Sequence, residues 1–156
     1  MEKEQVKQTA LNVSLAILDG RWSDLDKLLD DNFTYTGDGF VFNKDEYIGF
    51  MQDMKQAFSG LKMQFPNIVV DGNMASIRFV STAVNTGKFM GAPANKKNLE
   101  VHGIFMRRVE NGKVMQEWQT TDLLGVMRQI GFGALFGYSV FVGLFNVNQP
   151  RPKRKF

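Results

Sequence analysis

The sequence predicts an α+β domain in which a curved antiparallel sheet wraps over N-terminal helices. Two observations carry this. Apolar residues recur at helical spacing through roughly the first sixty positions, and the pattern then turns extended for about sixty more. Asp-Gly and Asn-Gly turn signals punctuate the extended part, so the strands meander rather than alternate with helices as βαβ units do. Such a sheet closes over its helices as a cone, and the wide end of the cone is the natural place for an apolar ligand pocket.

In order along the chain, Val6, Ala10, Val13, Ala16 and Ile17 repeat every three or four positions, which predicts a helix over residues 3–18 closed by Asp19-Gly20. A short second helix follows Trp22, with Ser23 as N-cap and Leu25, Leu28 and Leu29 on its buried side. Phe33 and Tyr35 read as a strand, and Thr36-Gly37-Asp38-Gly39 as a turn. Asn43 caps a third helix over about residues 44–58, whose Tyr47, Ile48, Met51, Met54 and Phe58 form a core stripe. Residues 61–70 and 74–84 then make a hairpin around Asp71-Gly72, and a loop over 87–98 leads to a second hairpin.

Asn111-Gly112 fixes the register of that second hairpin. Both residues tolerate positive φ, as a type I′ turn requires. Glu110 then faces Lys113, Val109 faces Val114, Phe105 faces Trp118, Gly103 faces Thr120 and Val101 faces Asp122. Cross-strand partners share a face. Val101, Gly103, Phe105, Val109, Val114, Trp118, Thr120 and Asp122 are therefore expected inside, with Glu100, His102, Met106, Arg108, Glu117, Gln119 and Thr121 outside. A one-residue bulge after the turn would exchange the faces and bring His102 to the pocket. On the inner face Asp122 reads two ways, as the N-cap of a helix beginning at Leu123 or as an acid/base in apolar surroundings.

Composition removes several classes of function. With 156 residues the chain suits one domain, and its 44% hydrophobic and 22% charged residues are those of a globular protein. It contains no cysteine and one histidine, His102, so disulfides, thiol nucleophiles and multi-histidine metal sites within the chain are excluded. The net charge of +3 comes from Arg151, Lys153, Arg154 and Lys155 near the C-terminus, which read as a solvated tail rather than a nucleic-acid surface. The polar, acidic start Met1-Glu2-Lys3-Glu4-Gln5 is not a signal peptide, and a cytoplasmic location is expected.

Residues 130–147 carry no charge and are rich in Phe, Val and Leu. The organisation expected is a domain over residues 1–131 and an apolar, aromatic extension with a basic tail over 132–156. Three readings of the extension stand: a cover over the cavity or dimer interface, an interfacial membrane contact, and a membrane span at the lower limit of length.

Three motifs resemble one family. Thr86-Gly-Lys-Phe-Met-Gly-Ala-Pro93, Glu110-Asn-Gly-Lys-Val-Met-Gln-Glu-Trp-Gln-Thr-Thr-Asp122 and Met127-Arg-Gln-Ile-Gly131 occur in the order and spacing of the SnoaL-like polyketide cyclases and ester cyclases. These belong to the nuclear transport factor 2-like, cystatin-like superfamily, and the resemblance covers about residues 5–131. It implies a cone-shaped fold with an apolar pocket, a homodimer, no cofactor, and Asp122 as general acid/base for an aldol ring closure. The chain departs from the family pattern at Asn85, where histidine is frequent, and at Phe105, where a polar residue is frequent.

The function expected is acid/base chemistry, an aldol cyclisation or isomerisation, on a hydrophobic carbonyl compound. Asp122 enclosed by Phe105 and Trp118 would have its charged form disfavoured. Asn85, Tyr35 and Thr120 are candidates to donate a neutral hydrogen bond to the enolate oxygen. His102 is a surface or interface histidine first and a catalytic one second. The alternative is a non-catalytic binding or dimerisation module, membrane-proximal through residues 132–147.

Overall fold

In the computed structural model, which describes residues 2–89 and 94–130, three helices precede a six-stranded sheet. Helix α1 (Lys3–Asp19) buries Val6, Ala10, Val13, Ala16 and Ile17, the stripe that its spacing predicts. Helix α2 (Trp22–Leu28) buries Leu25, but Arg21 rather than Ser23 occupies its N-cap position, and no side chain caps it. Leu29 is buried as the first residue of strand β1 (Leu29–Gly37), not as part of the helix. Strand β2 (Phe40–Asn43) is added between the turn and helix α3 (Lys44–Ala57). Asn43 and Glu46 form a reciprocal capping box there.

Strands β3 (Phe58–Asp71), β4 (Met74–Asn85), β5 (Asn98–Glu110) and β6 (Lys113–Thr121) continue the chain, and helix α4 (Leu123–Ile130) follows. The sheet order is β2-β1-β6-β5-β4-β3. All neighbours are antiparallel except β1 and β6, which run parallel. Pro66 lies where the register of edge strand β3 shifts, between Gln64 and Asn67, the kind of position a residue without an N–H donor can occupy. The tip of the β3–β4 hairpin is Gly72-Asn73, one residue later than expected.

The concave face packs on α1 and α3 through Phe33, Tyr35, Ala75, Ile77, Phe79, Phe105, Val109 and Val114. No helix among the described residues is long and apolar enough to cross a membrane. The extension over 132–156 lies outside the described residues.

The β5–β6 hairpin corrects the expected faces. Asn111 and Gly112 both have positive φ, 50° and 76°, and Glu110 pairs Lys113 and Val109 pairs Val114 as predicted. Then Met115 is extra: Arg108 pairs Gln116, Arg107 pairs Glu117, Met106 pairs Trp118 and Gly103 pairs Thr121. Because side chains alternate, one inserted residue exchanges the faces of everything after it. The bulge sits on β6, so β5 keeps its expected orientation and His102 stays outside. Trp118, Thr120 and, past the strand end, Asp122 move to the outer face, Asp122 standing opposite His102 rather than Val101, and Glu117, Gln119 and Thr121 turn inward.

That exchange places an ion pair in the core. Arg107 is 2% exposed and Glu117 1% exposed. The Arg107 Nε donates to Glu117 Oε2 at 2.6 Å, and Nη1 donates to Ser14 Oγ at 2.8 Å and to the Ala10 carbonyl. The Tyr47 hydroxyl donates to both Glu117 oxygens, at 3.2 and 3.3 Å. The guanidinium lies 4.1 Å from the centre of the Phe105 ring. Burial, the largest influence, pulls the Arg107 guanidinium down, but the charge of Glu117, Tyr47 and the hydrogen bonds to both together outweigh it and the net shift is upward.

Removing one member of a buried, hydrogen-bonded pair leaves the other charge uncompensated, at a cost of about 3–5 kcal/mol. Glu117→Ala and Arg107→Ala are each expected to lower unfolding stability by that amount in urea titrations. Arg107→Met combined with Glu117→Leu is expected to recover most of the loss. Equal losses for the double and single variants would contradict this account of the pair.

Candidate functional site

The inner face of β6 forms a polar line that runs from the core outward. Glu117 is fully buried, while Gln119 and Thr121 two and four residues further are half-buried. Opposite them β5 presents Arg107, Phe105 and Gly103, with burial falling toward Gly103 in the same way. The outer end of this line is the end of the sheet away from the buried Arg107–Glu117 pair. A Cβ on Gly103 would enter the Phe79 ring, so glycine there lets Phe79 lie across the sheet and stack on Phe105, with centroids 5.7 Å apart.

Asp38 reaches this end from the β1–β2 turn. Its Oδ1 accepts the backbone N–H of Thr121 at 2.8 Å, and its Oδ2 accepts the Thr121 hydroxyl at 2.5 Å and the Gln119 amide at 3.3 Å. The Gln119 amide also donates to the Thr121 hydroxyl oxygen, 3.0 Å away. An aspartate between two glycines reads from sequence as turn chemistry, and this set of inward contacts has no separate sequence signal.

Tyr35 is the aromatic member of the site. Its ring lies 5.3 Å from that of Tyr47 and 5.6 Å from that of Phe42. Among the described residues its hydroxyl has no hydrogen-bond partner, which leaves it free to donate. Burial, and then the negative charges of Glu117 and Asp38, push this hydroxyl well above the usual tyrosine range. Beyond Phe42 a chain of half-buried rings continues through Phe50 at 5.2 Å and Phe89 at 5.6 Å to Phe58 at 5.2 Å.

Asp122 ends β6. Its backbone N–H donates to the His102 carbonyl at 2.8 Å, and its Oδ1 accepts the Gly125 N–H at 2.8 Å. The second bond makes it the N-cap of α4. Among the described residues Oδ2 has no partner. The side chain is exposed, not enclosed by Phe105 and Trp118: Phe105 lies in the core on the inner face, whereas Asp122 follows the outward alternation of Trp118 and Thr120, opposite His102.

The remaining candidates are distributed around the fold. The Asn85 amide donates to the carbonyls of Gly87 at 3.0 Å and Ala57 at 3.5 Å, and its oxygen accepts the Asn95 N–H at 2.8 Å. Its groups hold the loop after β4. Thr120 is exposed on the outer face, paired with Ile104. His102, also on that face, lies 2.8 Å from Glu100 Oε1. Of the predicted set, then, Tyr35 and Phe105 lie on the inner face beside the polar line, and Asp122 follows the end of its strand with an exposed side chain. The unbulged register places Glu117, Gln119 and Thr121 outside. Their signal is charge matching, since only the shifted register sets Arg107 against Glu117.

Two surface clefts, one lined by Trp22, Gln52, Lys55 and Gln56 and one by Gln5, Gln8, Thr9, Asn111 and Gly112, lie away from this end of the sheet. Among the described residues no group of three or more His, Asp or Glu side chains could hold a metal ion.

A profile of the SnoaL-like polyketide cyclases matches residues 8–130, and the chain belongs to that family. Solved structures share the fold. TsrD from Streptomyces laurentii superposes with a TM-score of 0.75 at 23% identity, over 84% of this chain and 98% of that one. A protein from Jannaschia sp. CCS1 described as a SnoaL-like polyketide cyclase gives 0.75 at 22% identity, over 83% and 93%. An epoxide hydrolase of M. tuberculosis, described as LEH-like, gives 0.68 at 14% identity, over 89% and 100%. Among proteins of curated function none matches in sequence.

Two buried hydroxyls set an alkaline limit on the fold. Tyr47, like Tyr35, is shifted upward, by burial first and by Glu117 second. Both stay neutral when folded, so the stability they give is complete below the ordinary tyrosine value of about 10. It is lost as pH rises above that value, because the unfolded chain then releases protons that the folded chain retains. In an ultraviolet tyrosinate titration, two of the three tyrosines are expected to ionise only as the fold melts. Ionisation of all three before melting would contradict the buried, neutral assignment.

Proposed function

We propose that this chain moves a proton next to the carbonyl of a hydrophobic compound at the wide end of the cone, with Asp122 as general acid/base. The observation that carries the reading is the state of the Asp122 carboxylate. One oxygen is fixed by the Gly125 N–H and the other has no partner among the described residues, at the end of the strand whose inner face bears the polar line. A carboxylate oriented by one oxygen can use the other to take and return a proton. Membership of the SnoaL-like polyketide cyclase family supports the same chemistry.

In this reading Asp122 removes an α-proton. The enolate carbon attacks a second carbonyl to form the new C–C bond, and Asp122 returns the proton to the resulting alkoxide. The enolate oxygen needs a neutral donor, and Tyr35 fits best, with a hydroxyl that stays protonated and carries no competing bond among the described residues. Asn85 and Thr120 are less suited, the first by its loop contacts and the second by its outward face. The half-buried rings from Phe42 to Phe58 would form an apolar wall for the substrate.

A second reading has its own observation. The outer face of the sheet exposes Ile104 by 50% and Met106 by 42% beside Trp118. A homodimer or a binding module would use such a face. That module would bind a hydrophobic molecule without converting it.

Deuterium exchange at the α-carbon of 2-tetralone, a bicyclic ketone, followed by NMR in heavy water, separates the two. The wild type is expected to accelerate exchange, and Asp122→Asn to lose about a hundredfold of that acceleration. Asparagine is as good an N-cap as aspartate, so the fold and ketone binding by native mass spectrometry are expected to persist. Equal exchange by both proteins would leave Asp122 as a helix cap alone. Binding without exchange in either would favour the non-catalytic module.

A further inference from the structure

Strand β6 outruns its parallel neighbour. The paired positions of β1 and β6 end at Gly37 and Gln119, yet β6 continues to Thr121 and delivers Asp122 immediately after it. Gly37 already sits so close that a Cβ there would stand 2.5 Å from the Gln119 carbonyl oxygen and 2.8 Å from the Tyr35 hydroxyl. The β1 backbone then turns away, and the pairing offers the Thr121 N–H no further backbone acceptor from β1.

The Asp38 side chain takes over where the backbone leaves. It adopts φ of 50°. That left-handed conformation is uncommon for any residue but glycine and is tolerated best by Asn and Asp. From there its two oxygens accept the N–H and hydroxyl of Thr121 and the amide of Gln119. On the opposite edge the next N–H, that of Asp122, is held by the His102 carbonyl of β5. The end of β6 is thus gripped on both sides, by backbone from β5 and by a carboxylate from the β1–β2 turn. A turn needs no such reach, because Gly39 beside it supplies positive φ at no steric penalty.

We propose that Asp38 is the positioning residue for Asp122, acting through Thr121 to fix where the acid/base carboxylate stands. This rests on the proton-transfer reading of Asp122. With both oxygens of Asp38 engaged by donors, it acts by holding and not by taking a proton. A misplacement of about 1 Å at a reacting group can cost about a hundredfold in rate. The effect falls on turnover and leaves substrate affinity in place.

The test uses the full chain with Asp38→Ala and Asp38→Asn and two readouts: amide hydrogen exchange by NMR, and steady-state kinetics of 2-tetralone deuterium exchange. Asp38→Ala is expected to speed amide exchange at Thr121 and Gly125 at least about tenfold, with Val109 in the core unchanged, and to lower kcat about tenfold at nearly constant KM. Asp38→Asn keeps one acceptor for the Thr121 N–H and is expected to recover part of both. Where Asp38→Ala fails to fold, Thr121→Val, which removes only the hydroxyl bond, decides by the same split between kcat and KM. An unloosened Thr121 amide, or a loosened one with undiminished kcat, overturns the proposal while the role of Asp122 stands. A wild type that binds 2-tetralone without exchanging its protons overturns the proton-transfer reading, and the proposal with it.

Discussion

The buried contact between Arg107 and Glu117 is the constraint on which the rest of the structure depends. A guanidinium and a carboxylate withdrawn from water must satisfy each other and nearly every remaining polar atom around them. Here that requirement recruits the Ala10 carbonyl and Ser14 hydroxyl from α1 and the Tyr47 hydroxyl from α3. Two helices and two strands are thereby fixed in one arrangement. The pair also requires the Met115 bulge, since only the shifted register brings the two residues opposite each other on the concave face.

The same bulge shapes the chemistry available. By turning Glu117 inward it also turns Gln119 and Thr121 inward, so polar groups continue from the core toward the half-buried end of β6. At the deep end every group is committed to its neighbours. At the outer end, the Tyr35 hydroxyl and one oxygen of Asp122 have no partner among the described residues, which is the ground for the proton transfer proposed there. The aromatic rings from Phe42 to Phe58 supply apolar surface continuous with the Tyr35 ring.

Much of the fold is legible in the sequence because it rests on local periodicity and turn chemistry. The α1 stripe, the Asn43 cap and the Asn111-Gly112 turn are each decided by residues within a few positions of one another. The faces of β6 are not, because a single bulge is invisible to alternation and is settled by pairing across the hairpin. Matching Arg107 to Glu117 reveals it. The Asp38 contacts with Thr121 span more than eighty positions and depend on a parallel pairing between the first and last strands, which no local pattern encodes. Asp122 is legible as a residue of interest by resemblance and as a helix cap by its neighbours, and its capping bond is present in the structure. Its exposure follows from the exchanged faces and is hidden from alternation in the same way.

A structure of the full chain with 2-naphthol, a planar mimic of the 2-tetralone enolate, shows whether Tyr35 and Asp122 meet one ligand. The naphthol oxygen is expected within about 3 Å of the Tyr35 hydroxyl, the ring against the phenylalanine wall, and Asp122 Oδ2, which has no partner among the described residues, facing the carbon that would lose its proton. Naphthol seated on the outer face against Ile104 and Met106, or bound inside with its oxygen turned away from Tyr35 and its ring beyond reach of Asp122, would contradict that arrangement.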